Sequence, residues 1–370
     1  MASDKPLIWF VVGDRLGDNG QVEALVEALD LPCERRYVHV KAPWIKGKPR
    51  VVPSLHHLDL DASDILAPPW PDLLITVGRR LSMVAQWVQQ KSGGHTRLVL
   101  IGKPSGSARP YDLIIVGPET QIPPGPKIMK ISLPLLKVDA DRVRAAAHAW
   151  RERFADLPRP LVAFLVGGPT NPFVFNADVE TRMLQIAGDV CARGGTPYFT
   201  TSPRTPPAFT AAMRERLPAA ARLFEWRRDA SDNPYHALLG LADEFVVTGE
   251  SISMLVEVAK LRRPLAIFPL PMSLLGKVDQ LRRNAARWLY QADGAGRHDS
   301  LRAGLRRIGG WLHVLPHTRD FLAVHRSLVE QGLAVPAGGQ IVPPRGEIPS
   351  DLERVVARIH TLVDQLGKER

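Results

Sequence analysis

The sequence predicts an α/β protein made of two parallel-sheet halves of Rossmann-like type, and three observations carry that prediction. Up to about residue 136, short apolar and β-branched runs (LIWFVV, PDLLITV, RLVLIG, YDLIIVG) alternate with helix-length segments, the pattern of βαβ units. Pro158 and Pro160 then break the chain, and LVAFLVGG restarts the same alternation through PYFTTS, RLFEW, EFVVTG and PLAIFPLP. The length of 370 residues is what two domains of ordinary size require.

Taken in order, the apolar run Leu7–Val12 has no small-residue cleavage site behind it and reads as a first strand, not as a signal peptide. A polar, Gly-rich turn, Gly13 to Gln21, leads into the helical QVEALVEAL. Residues 1–136 form the first domain. A helix over Asp139–Phe154 opens the second, which runs over residues 137–335. Residues 336–349, the core of the Pro- and Gly-rich stretch LAVPAGGQIVPPRGEIP, read as a linker. In 350–370, Ser350 and Glu353 have capping-box spacing. Leu352, Val355, Val356, Ile359, Leu362, Val363 and Leu366 share one helical face, which has to pack and is expected to return to the N-terminal domain. Parallel sheets bind ligands beyond the carboxyl ends of their strands, so the cleft between the halves is the expected active site.

The composition, with 48 basic and 38 acidic residues and 45% hydrophobic content, excludes disordered, collagen-like and disulfide-stapled classes. Cys33 and Cys191 fit a reducing compartment. No apolar stretch reaches the roughly 20 residues that cross a bilayer. The expectation is a cytoplasmic protein, peripheral to the inner membrane at most. The basic excess concentrates in residues 260–310, with eleven Lys or Arg against three Asp. Such a window is a solvated face or a surface for phosphorylated ligands or an anionic leaflet. Nucleic acid is not expected, because no nucleic-acid-binding motif accompanies the charge. No metal is expected either: the adjacent His56 and His57 point apart, and Pro316 spoils a helical pairing of His313 with His317. GxSxG, HExxH and Walker A patterns are missing from the sequence.

Five segments carry chemistry. Gly13 to Gln21 lacks GxGxxG spacing, so it is not a dinucleotide fingerprint, yet it places Asp14 and Asp18 at a strand end. Gly167-Gly168-Pro169-Thr170-Asn171 holds the equivalent place in the second half, and Thr200 to Thr205 brings hydroxyls and Arg204 to the next strand end. In VVTGESISMLVE a strand ends near Thr248 and small polar residues open a helix, whose first N–H groups suit a diphosphate. Glu257, about two turns in, could accept hydrogen bonds from a ribose diol. Farther on, Gln280 and Asn284 lie one helical turn apart, as amides that bind sugar hydroxyls do.

The run TGESISMLVEVAKLRRPLAIFPLP with KVDQLRRNA resembles the donor-nucleotide region of GT-B glycosyltransferases such as the peptidoglycan GlcNAc transferases that form lipid II. The whole chain resembles more closely the bacterial members of the mitochondrial fission (elongated-mitochondria) family, which are regarded as GT-B glycosyltransferases. GDRLGDNGQ, LITVGRRLS, LVGGPTNPF, TSPRTPP and VVTGESISMLVE carry that resemblance over residues 8–290. Two places depart from the pattern. Gly117-Pro118-Glu119-Thr120 stands where members often have Pro-x-His-Asp, and Lys260-Leu261-Arg262-Arg263 replaces the usual small and Gly residues before a Pro.

The resemblance implies a metal-independent, inverting transferase with no cofactor and a nucleoside-diphosphate sugar as co-substrate. Gly167, Gly168, Thr170, Asn171, Ser202, Arg204, Glu250, Ser251, Ile252, Ser253, Glu257 and Gln280 would hold the donor. Gly17, Asn19, Gln21 and Arg79 would face a glycan or lipid-linked acceptor, and Asp18 would be the general base, with Asp14 next in line. Two other readings stay open: a nucleotide-sugar epimerase on the same fold, and a non-catalytic adaptor, since eukaryotic relatives are associated with recruiting a dynamin-type protein.

Overall fold

The computed structural model describes residues 6–14, 16–45, 51–104, 107–290, 318–349 and 351–369. They form two compact units, the first within 1–137, 283–320 and 349–370, the second within 138–282 and 321–348.

In chain order the first unit begins with β1 (Ile8–Val12), α1 (Leu16–Leu29), β2 (Cys33–Tyr37), β3 (His39–Val40), α2 (Ala42–Ile45) and β4 (Leu58–Asp59). It continues with β5 (Leu73–Val77), α3 (Gly78–Lys91), β6 (Arg97–Ile101), β7 (Leu113–Val116), β8 (Thr120–Gln121) and β9 (Ile128–Lys130). The second unit follows with α4 (Ala140–Ala155), β10 (Leu161–Leu165), α5 (Ala177–Ala192), β11 (Thr196–Thr200), α6 (Pro207–Arg216) and β12 (Arg222–Phe224). Next come α7 (Tyr235–Leu241), β13 (Glu244–Thr248), α8 (Ile252–Lys260), β14 (Leu265–Phe268) and α9 (Leu274–Tyr290). The chain closes with β15 (Thr318–Arg319), α10 (Phe321–Glu330), β16 (Val335–Pro336) and α11 (Asp351–Glu369).

Among the described residues the first unit holds a six-stranded sheet of order β2-β1-β5-β6-β7-β9 and the second one of order β12-β11-β10-β13-β14-β16. Every pairing in both is parallel. Central strands of such sheets are covered on both faces and therefore read as unbroken apolar runs. IWFVV, LLITV and LVAFL, which form β1, β5 and β10, are buried at every position. The edge strand β2, CERRY, is partly exposed and has no such signature.

One local device recurs. Asp72, Asp112 and Asp243 each stand just before a strand and accept the N–H of a residue in the neighbouring strand or at its start: Leu7 at 2.7 Å, Leu98 at 2.9 Å and Leu161 at 2.7 Å. The carboxylate satisfies a backbone donor that the ladder leaves open and holds the register of the pair.

The final helix belongs to the first unit. Val355 and Ile359 of α11 are fully buried in the core formed by β1, β5, β6 and β7, and Leu352, Val356 and Leu362 pack against it. Asp351 anchors the first turn by accepting Ser132 N–H at 2.6 Å and Leu133 N–H at 3.3 Å; Ser350 lies outside the described residues. The Pro- and Gly-rich stretch before it is tied to the second unit. Ala337 N–H donates to the Ile267 carbonyl at 2.9 Å, and the Arg262 guanidinium to the Gly346 carbonyl at 2.8 Å.

His57 is buried and donates from Nε2 to the Arg80 carbonyl at 3.1 Å, while its Nδ1 meets no partner. Burial pushes its pKa down to about 4, with the Arg80 carbonyl opposing the shift. The unfolded chain therefore takes up a proton near pH 6.5 that the folded protein refuses, so His57 favours folding above that pH and ceases to do so as pH falls toward 4. Stability is expected to drop by on the order of 2 kcal/mol from this group between about pH 7 and pH 5. His57→Gln should flatten that part of the melting-temperature profile, and identical acid slopes for the two proteins would refute the assignment.

Candidate functional site

In the second sheet the chain runs outward from β10 through β11 to β12 and then resumes at β13, on the other side of β10. The carboxyl ends of β10 and β13 thus flank a reversal in strand order, which is where open α/β sheets bind ligands. Val166 to Asn171 leave β10 there, Gly249 to Ser251 leave β13, and Thr201 to Thr205 leave the adjacent β11.

These loops are stitched together by side chains. Gly167 N–H donates to Thr248 Oγ1 at 2.9 Å, and Gly168 N–H donates to Glu250 Oε1 at 2.8 Å. A Cβ on Gly167 would lie 1.8 Å from that carboxylate oxygen, and one on Gly168 only 2.0 Å from the Arg204 carbonyl oxygen. The two glycines are needed for close approach by Glu250 and by the Arg204 backbone, so protein atoms account for both. Thr205 Oγ1 lies 3.0 and 2.6 Å from the carbonyl oxygens of Val166 and Gly167 and accepts Ser202 N–H at 2.9 Å. The exposed Arg204 guanidinium donates to Thr170 Oγ1 at 2.6 Å, and Asn171 is exposed beside it.

Glu250 is only 3% exposed, and its Oε2 has no hydrogen-bond partner. Burial pushes its pKa up; bonds from its own backbone N–H, Thr248 and Gly168, and the charge of Arg204, act against that. Immediately after it, Ser251 starts α8 without a side-chain cap. Ser251 and Ile252 are buried and Ser253 is exposed. A buried, unengaged carboxyl oxygen next to uncapped helix N–H groups is an arrangement with unspent hydrogen-bonding capacity.

Glu257, on α8, accepts a 2.5 Å hydrogen bond from Tyr235 Oη. Burial pushes the Glu257 pKa up against that bond, while burial and the nearby carboxylate push Tyr235 well above its ordinary value. The phenol occupies Oε2 and orients the carboxyl group. Gln280 is half-buried on α9, and Asn284 is exposed one turn later.

In the first unit the loop after β1 is shorter than the sequence suggests, because α1 starts at Leu16 and takes in Gly17, Asp18, Asn19 and Gln21. The side chains of Asp18 and Asn19 lie outside the described residues, and Gln21 is half-buried. Arg79 is half-buried in the first turn of α3. Asp14 is exposed at the end of β1 and is held twice: Oδ1 lies 2.6 Å from His39 Nδ1, and Oδ2 accepts Val40 N–H at 2.9 Å. With the carboxylate as acceptor, the imidazole donates from Nδ1 and presents Nε2.

His39 and Tyr235 were not singled out from sequence. Each is an ordinary residue in its local context and acquires a role through a partner that the fold brings near. No cluster of His, Cys, Asp and Glu able to hold a metal occurs among the described residues, and His313 and His317 lie outside them.

Comparison with known proteins bears on fold and family. A UDP-N-acetylglucosamine 2-epimerase assigned in Listeria monocytogenes aligns with a TM-score of 0.50 at 12% identity, covering 98% of this chain and 97% of that one. A glycosyltransferase from Rickettsia africae aligns over 100% of both chains with a TM-score of 0.47 at 10% identity. The first likeness establishes a shared fold, the GT-B-like pairing of Rossmann-like units. The mitochondrial fission protein ELM1 of Arabidopsis thaliana is 24% identical over 219 residues, covering 53% of this chain and 51% of its own length, so the chain spans about half of that relative. An uncharacterized protein of Rickettsia prowazekii is 24% identical over 297 residues, 70% of this chain and 82% of its own. The sequence model of the family described as Mitochondrial fission ELM1 matches residues 17–287, and the chain belongs to that family.

Proposed function

We propose that the protein is a metal-independent, inverting glycosyltransferase that moves a sugar from a nucleoside diphosphate to a hydroxyl of a glycan or lipid-linked acceptor. The observation that carries this reading is the β10/β13 strand end. There a buried Glu250 with an unengaged Oε2 adjoins the uncapped start of α8 at a reversal of strand order. The helix N–H groups with Ser251, Ile252 and Ser253 receive the diphosphate, whose negative charge the helix dipole favours. Arg204, next to Thr170 and Asn171, adds a cation at the neighbouring strand end. Glu257, fixed by Tyr235, offers its other oxygen to the ribose, and Gln280 serves the donor sugar.

On the acceptor side, Gly17, Asn19, Gln21 and Arg79 contact the incoming molecule. The acceptor oxygen attacks the anomeric carbon as the bond from that carbon to the phosphate oxygen breaks. The hydroxyl proton passes to a base in the first unit, and the nucleoside diphosphate departs with the bonding electrons. Asp18 and the Asp14–His39 pair are the groups proposed for that proton. The enzyme works in the cytoplasm, next to a membrane that carries the acceptor.

A thermal-shift panel of UDP, GDP, ADP, CMP and TDP tests the donor site. A nucleotide at about 100 times its Kd adds about 2.7 kcal/mol by mass action. For a domain of this size, that raises the melting temperature by roughly 5 °C or more. Glu257→Ala should abolish the rise. A panel in which no nucleotide shifts the melting temperature would reject the transferase reading and favour a non-catalytic adaptor.

A further inference from the structure

Helix α9 is inverted relative to the usual surface helix. Leu274, Leu275, Val278 and Leu281 are 80, 84, 67 and 70% exposed. Gly276 is buried so closely against Pro172 that a Cβ would approach to 2.6 Å, and Asp279 and Gln280 are half-buried. At 100° per residue the four exposed side chains fall on one side of the helix, and Gly276 and Gln280 fall on the other. A helix on a water-facing surface turns its apolar stripe inward, and here the stripe faces out. Contiguous exposed apolar area of this kind marks a surface that something covers.

The charge around the stripe identifies the covering surface. Lys277 borders it, exposed and without an ion-pair partner among the described residues. Asp279, the acid on this stretch of helix, is neutralised by Arg282 at 2.7 Å. The sequence window 260–310, which contains the helix, carries eleven Lys or Arg against three Asp in a chain of net charge +10. No helix among the described residues is long and apolar enough to cross a membrane. Leucines on one side with cations at the border are what a helix lying in the plane of an anionic bilayer requires. We infer that α9 is an interfacial helix that docks the protein on an anionic lipid surface through Leu274, Leu275, Val278 and Leu281, with Lys277 at the headgroups.

This inference deepens the transferase reading, since a lipid-linked acceptor has to be met at its membrane, and it adds the attachment site. Vesicle binding and nucleotide-dependent melting are measured separately, so either can fail without the other. The test is co-sedimentation of the full chain at low salt with vesicles of equal phosphatidylglycerol and phosphatidylcholine, and with vesicles of phosphatidylcholine alone. Binding to the anionic vesicles only is expected. Joint replacement Leu274→Gln, Leu275→Gln, Val278→Gln and Leu281→Gln should weaken it by at least about tenfold, and Lys277→Gln by about fivefold. The melting temperature of the fourfold variant should equal or exceed that of the wild type. A variant that melts well below the wild type would show that the chain's own residues cover the stripe. A wild-type dimer that the variant breaks would assign the face to a second copy. Either result overturns the proposal, as does wild-type protein that stays in the supernatant with anionic vesicles.

Discussion

His39→Gln is expected to lower kcat by about 10²- to 10³-fold while leaving the nucleotide-induced rise in melting temperature unchanged. Asp14 is fixed by His39 Nδ1 at 2.6 Å and by Val40 N–H at 2.9 Å, so it cannot rotate away from the imidazole without losing two bonds. A carboxylate held there selects the tautomer with a free Nε2, the only ring atom then able to accept an acceptor's proton. Asp14→Asn should reproduce much of the loss. The amide can still accept Val40 N–H, but its NH₂ then faces Nδ1 and favours the tautomer with a protonated Nε2, a base in the wrong state. Asp18→Asn decides between the candidates. If it alone abolishes transfer and His39→Gln leaves kcat within about threefold of wild type, the proton goes to Asp18 and the Asp14–His39 pair is only structural. The readout is release of nucleoside diphosphate in the presence of acceptor, with kcat and the donor KM determined separately.

Gly168→Ala should cost the second unit about 3 kcal/mol or more and remove its response to nucleotide. The new Cβ would lie 2.0 Å from the carbonyl oxygen of Arg204, 2.3 Å from its carbonyl carbon and 2.5 Å from its Cβ. Backbone cannot swing aside as a side chain can, so the turn from Ser202 to Thr205 has to move. It would take with it the contacts of Thr205 Oγ1 with the Val166 and Gly167 carbonyls and the bond from Arg204 to Thr170. Gly167→Ala makes an informative contrast. Its Cβ meets the Glu250 carboxylate at 1.8 Å, a side-chain group that can rotate away. That variant should lose less stability yet still lose nucleotide binding, because rotation breaks the bond from Gly168 N–H to Glu250. Gly188→Ala is the control: nothing lies within 4 Å of a Cβ in the middle of α5, and the exchange should stabilise the protein by up to about 1 kcal/mol. Equal melting temperatures for Gly168→Ala and Gly188→Ala would show that the turn at Arg204 yields freely.

The two glycines also show where reading from residues stops. Gly167 and Gly168 after a strand suggest room for a phosphate, and their position at the end of β10 follows from the sequence pattern. Which atoms fill the space could not be read, because Glu250 lies 82 residues from Gly168 and Arg204 reaches it from a third strand end. Asp14 was legible as a carboxylate at a strand end. Its coupling to His39, 25 residues on, was not, because β2 carries polar, partly exposed residues and gives no apolar signature that would place its end beside β1. Glu257 stood out on the opening turns of a helix, whereas Tyr235, 22 residues earlier, is one aromatic among several until its hydroxyl meets that carboxylate in the folded chain.

By itself the amino-acid order determined the α/β class, the restart near Pro160, the central strands and the final amphipathic helix. All of these rest on local periodicity and on the unbroken apolar runs that strands covered on both faces must have. Tertiary structure alone decided the order of strands, hence which strand ends adjoin. It also decided which polar atoms are paired and which, like Glu250 Oε2, remain unengaged, and which side of α9 faces water. Those are properties of contacts between residues far apart in the chain, set when two surfaces meet, and no window of neighbouring residues contains them.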